Sequence, residues 1–195
     1  MTQNGPSVGD QRLMVTRILW GALTFTVFIY GFILQATGHG NVAPTREGMD
    51  MTFPLAFGVM SLSVAVVSFV LPAKTFRSSA QRLARSLKVT DTVNVVMPGD
   101  ERGFRTAPPS SKVYENGSAA LAAAFAAFQT PFILGLALSE SIVINGFLLG
   151  FLGYGLRLAA PFFAVGLVLL LVRFPTKDRV AGMFEAATGV RMPPL

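Results

Sequence analysis

No cysteine occurs in the chain, so disulfides, thiol nucleophiles and thiolate metal sites are all excluded. The single histidine, His39, stands between two glycines with no second ligand type nearby, which reads as a solvated loop residue and not a metal centre. Charge is scarce as well. Asp, Glu, Lys and Arg make up 13% of the 195 residues against 52% hydrophobic, where soluble domains carry about a quarter charged. The deficit is concentrated in uncharged runs at 18–34, 53–73, 116–139, 141–156 and 158–172. A helix crossing a bilayer needs about 20 apolar residues, or about 17 with anchored ends, so the first two runs fit one helix each. No stretch outside them keeps the alternation of a membrane barrel strand.

Only Glu140 and Arg157 interrupt residues 116–172. Gly150, Gly153 and Gly155 ahead of Arg157 predict a turn at an interface, with a third span over about 131–153 and an Ala-rich helical extension leading into it. A rival partition starts that span at Ala119. The expected organisation is all-α: a polytopic integral membrane protein of about four transmembrane helices with both termini cytoplasmic. It comprises a segment 1–17, spans at 18–35, 53–72, 118–153 (with the inner extension) and 158–173, outer connections at 36–52 and 154–157, a basic cytoplasmic loop 73–117 and a tail 174–195. Sidedness follows from the basic residues. All 16 except Arg46 and Arg157 fall in the segments assigned to the inside or, for Arg173, at the inner end of the fourth span, as lysine and arginine do in cytoplasmic loops. This bias also accounts for the net charge of +6, so nucleic acid is not an expected partner. Residues 35–38 make a poor signal-cleavage site, so the first run is expected to be a retained anchor. Short loops and the lack of an organelle address point to a bacterial inner membrane.

The 74–112 loop is the sizeable polar part. Phe76, Ala80, Leu83 and Leu87 share one helical face, with Arg77, Arg82 and Arg85 elsewhere. That pattern fits an amphipathic helix on an anionic leaflet, or equally a helix continuing the second span inward. Residues 89–97 suit a short strand, and 98–112, with Gly99, Gly103, Pro108 and Pro109, a linker. Anionic lipid or a soluble partner is expected to meet this loop, which is too short to bury an enzyme core. Enzymatic activity is not expected, because no nucleophile with a base, carboxylate pair or metal cluster is apparent, and no cofactor is implied.

Glu140 is the informative residue. A carboxylate at mid-bilayer costs a few kcal/mol and marks a candidate functional site. No Lys, Arg or His is expected inside a span, so desolvation favours the neutral carboxyl unless a cation enters. Ser139 and Ser141 flank it. Thr24 and Thr26 of the first span and Ser61 and Ser63 of the second lie at comparable depth, and Gln129 shares its face about three turns inward. These groups could hydrogen-bond a protonated carboxyl or complete an oxygen shell. Gly135, Gly146 and Gly150 belong to a stripe of small residues that permits close helix approach.

Over residues 129–153 the chain resembles the second helix of the rotary ATPase c subunit: a small and apolar run, Pro131 to Ser139 in sequence, leads into one acidic residue, Glu140, followed by Ser141 and a further apolar run with Gly146. The resemblance implies that Glu140 carries a proton or sodium ion. It places Ser141 and the carbonyl of Leu138 among the ligands, beside Ser139, with Asn145 where such members often have Tyr. Two functions are thus expected: a proton- or sodium-binding membrane protein in a homo-oligomer or larger complex, or a structural or assembly subunit in which Glu140 only hydrogen-bonds neighbouring helices.

Overall fold

A computed structural model describes residues 8–38, 51–92 and 111–193; the expectations for residues 1–7, His39, Arg46 and most of the 98–112 linker lie outside these. The described chain is almost wholly helical: α1 (Val8–Ala36), α2 (Thr52–Ala84), α3 (Gly117–Leu149), α4 (Gly155–Val172) and α5 (Lys177–Thr188), with two short strands, β1 (Val89–Thr92) and β2 (Ser111–Tyr114), between α2 and α3. Three stretches are long and apolar enough to cross a membrane, within 11–36, 52–84 and 117–172. The last is not one rod. Between α3 and α4, Gly153 and Gly155 take φ of +91° and +78°, a left-handed backbone that only glycine adopts freely. The break folds α4 back antiparallel on α3, so that Gly166 meets Val143 and the carbonyl of Ser139.

The central element is α3, packed against α1, α2 and α4. At 1.5 Å per residue, the 33 residues each of α2 and α3 make rods of about 50 Å, against about 30 Å of hydrocarbon. Their excess lies at one end, where the Ala-rich half of α3 meets Phe76 and Ala80 of α2, Leu13 of α1, and Val180 and Phe184 of α5 in a buried cluster. Asn116 starts α3 there, its side chain accepting from the amide of Ala119, an ordinary N-cap.

Four segments take definite structure at this end. The segment 8–17, read as part of a cytoplasmic N-terminal segment, is the first part of α1, with Leu13 and Thr16 buried. Of the two alternatives for 74–87, the helix continuing the second span is the one present, and its apolar face covers protein: Phe76 and Ala80 are buried, with Leu83 and Leu87 against the same cluster. The strand expected over 89–97 forms at its start, pairing Val89 with Tyr114 and Thr92 with Ser111. The tail, given no structure from the sequence, holds α5. The side chain of Thr176 caps it by accepting from the Arg179 amide, and Gly189 ends it at φ +71°. Arg191 then adds a backbone bridge to β2.

Candidate functional site

In the second half of α3, three polar side chains reach three different helices. Toward α1, Glu140 Oε1 lies 3.0 Å from Thr26 Oγ1, which is also 2.7 Å from the carbonyl of Leu23. A threonine hydroxyl has one hydrogen, so it can donate to only one of those oxygens. Glu140 is half-buried. Two residues back on α1, the hydroxyl of Thr24 is enclosed without a hydrogen-bond partner among the described residues.

Toward α2, buried Asn145 donates through Nδ2 to Ser61 Oγ at 3.0 Å. Toward α4, fully buried Ser139 donates to the Gly135 carbonyl at 2.8 Å and accepts from Arg173 Nη1. Arg173 was counted among the basic residues that set sidedness. Its guanidinium instead reaches back between α2, α3 and α4, where Nη2 donates to the carbonyl and hydroxyl of Ser68 at 2.7 and 2.9 Å. The Phe69 ring lies 5.1 Å from its central carbon. Gly135 opens the corridor, since a Cβ there would stand 3.0 Å from Arg173 Nε. The signal available in the sequence was that Arg173 is the first charge after the 158–172 run, where a long basic side chain can snorkel in either direction.

The expected ion ligands are therefore divided. Ser141 donates to the Leu138 carbonyl at 2.8 Å, Ser139 serves Arg173, and Glu140 meets Thr26. Ser63 is exposed and bonds back to the Val59 carbonyl. Gln129 is exposed beside Arg12 and Thr16. A hard cation takes about six oxygens, and no such shell surrounds Glu140 in the described contacts.

Two glycines of the small-residue stripe stand at close approaches. A Cβ on Gly146 would lie 2.6 Å from Phe162 Cβ of α4, and one on Gly150 would lie 2.6 Å from Leu34 of α1. Sequence reasoning missed Gly166, which does the same work from the α4 side, and the indole of Trp20, which donates to the Leu170 carbonyl at 2.7 Å and ties α1 to α4.

No protein-family model, curated protein or solved structure matches this chain. The likeness of residues 129–153 to the rotary ATPase c subunit thus rests on sequence alone.

Proposed function

We propose that the chain is a four-span integral membrane protein with both ends on the cytoplasmic side, acting as a structural or assembly component of a homo-oligomer or larger membrane complex. In this reading α3 is the post to which the other helices are tied, and Glu140 is one of the ties. The observation that carries it is the distribution of polar groups: Glu140, Asn145 and Ser139 each engage a different neighbour. In hydrocarbon such contacts act as interhelical fasteners. The hydroxyl of Thr26 stands between the Leu23 carbonyl and the Glu140 carboxyl, so the contact joins α1 to α3.

A second reading, reversible proton transfer through Glu140, draws on its being half-buried at the seam of α1 and α3 instead of sealed. Sodium is less well supported, because no shell of about six oxygens surrounds Glu140 in the described contacts.

Two substitutions separate these readings. Glu140→Gln keeps a hydrogen-bonding group of the same size and removes the titratable proton; Glu140→Leu removes both. If Glu140 is a fastener, the Gln variant assembles like wild type and the Leu variant does not, as read by size-exclusion chromatography in detergent. Loss of a proton flux in vesicles with Glu140→Gln, assembly being intact, would establish proton transfer in its place. Wild-type assembly and flux in both variants would sink both.

A further inference from the structure

We infer that the cavity where α2, α3, α4 and α5 converge binds the phosphate of an anionic phospholipid of the inner leaflet. The cavity holds about 220 Å3; its walls include Phe69, Phe76, Phe128 and Met183, with Arg173 and Arg179 the charged residues among those lining it. None of the lining residues is acidic.

Its depth suits a headgroup. On α2 the lining runs from Phe69 to Phe76, across the point where the uncharged run 53–73 gives way to Lys74. On α4 it includes Val172 and Arg173, where the last uncharged run stops. Two independent helices therefore put it at the boundary between hydrocarbon and water, if those helices span.

Its charge calls for an anion. The two arginines line one cavity, where like charges repel. Their hydrogen bonds go to neutral groups: Arg173 to Ser139, Ser68 and the Leu169 carbonyl, and Arg179 to the Val172 carbonyl. The carbonyls at the end of α4 offset part of that charge. Positive charge without a carboxylate, set in an apolar wall, is costly unless a counter-ion arrives. A phosphate diester supplies the charge and geometry that guanidinium recognises. A lipid also supplies chains for the aromatic wall, and these continue along Val66 and Val70, which are exposed on α2. This site meets the 74–112 loop only at Phe76, and its charge comes from Arg173 and Arg179 instead of the basic residues of the loop.

The test uses the full chain in a neutral detergent, with native mass spectrometry of lipid retention during titration with phosphatidylglycerol or phosphatidylcholine. Wild type should retain phosphatidylglycerol in preference. Arg179→Gln, at an exposed residue, should weaken that retention about fivefold, the effect of one basic group near an anionic surface. Met183→Trp, which fills the cavity without altering charge, should reduce it too. Arg173→Gln should do likewise if it folds; because Arg173 also ties three helices, Arg179 and Met183 decide the matter. Equal retention of the two lipids, or wild-type retention in both Arg179→Gln and Met183→Trp, would overturn the proposal. So would full displacement of phosphatidylglycerol by millimolar inorganic phosphate, which would make the ligand a soluble anion.

Discussion

Phenylalanine meets opposite fates in two parts of this molecule. Along α1, Phe25, Phe28 and Phe32 are 64%, 59% and 72% exposed, while Phe76, Phe125 and Phe184 at the cytoplasmic end proposed above are each 4% exposed or less. Water would tolerate the second arrangement and penalise the first, since an extended apolar patch of that size is rare on a soluble monomer. The two halves therefore answer to different solvents. Around α5 the chain builds a hydrophobic core with capped helices. Along the spans, burial drives little, and close glycine contacts and single polar ties hold the helices.

The largest expected effect tests the aqueous half. Phe184 is fully buried, with its ring centroid 5.9 Å from that of Tyr114. Phe184→Ala should cost about 3–5 kcal/mol, visible as early proteolysis of the 177–193 segment in detergent. Phe32→Ala should cost little under the same conditions. Equal sensitivity of the two would erase the contrast between the halves. A middle-sized effect tests the spans. Gly146→Leu forces a side chain against Phe162 and the Ala159 carbonyl and should destabilise the α3–α4 hairpin by about 1–3 kcal/mol. Gly58→Ala, with nothing within 4 Å of the added Cβ, should be near neutral. Unfolding by sodium dodecyl sulfate in mixed micelles measures both.

The sequence was legible where a local signal had one meaning. The charge-free runs marked the apolar helices, and Gly153 with Gly155 marked the break that divides 117–172, because a left-handed backbone demands glycine. Depth offered Thr24, Thr26, Ser61 and Ser63 together as candidates for Glu140, and Thr26 is the one that lies 3.0 Å from it. Legibility failed where the answer depended on what lay opposite. The 74–87 face reads alike whether it covers lipid or protein, and only the arrival of α3 and α5 distinguishes them. Ser139 and Ser141 flank Glu140 equally in sequence, yet about 100° of helical rotation per residue turns Ser139 toward Arg173 and leaves Ser141 bonded to its own helix. Arg173 could not be resolved for the same reason: its side chain is long enough to leave the apolar layer or re-enter it.

The smallest expected effect bears most closely on Glu140 itself. Thr26→Val preserves shape and removes the hydroxyl, and Glu140→Met removes the carboxyl at similar length, so a double-mutant cycle of the two isolates their coupling. In membrane proteins such cycles average about 0.6 kcal/mol and reach about 1.7. A coupling within that range, measured by unfolding in mixed micelles, is what a tie between α1 and α3 should give. A coupling near zero would mean that Glu140 stands beside Thr26 without depending on it. The account of Glu140 as a fastener would then fail, and the half-buried face of Glu140 would become the part of the residue that needs explaining.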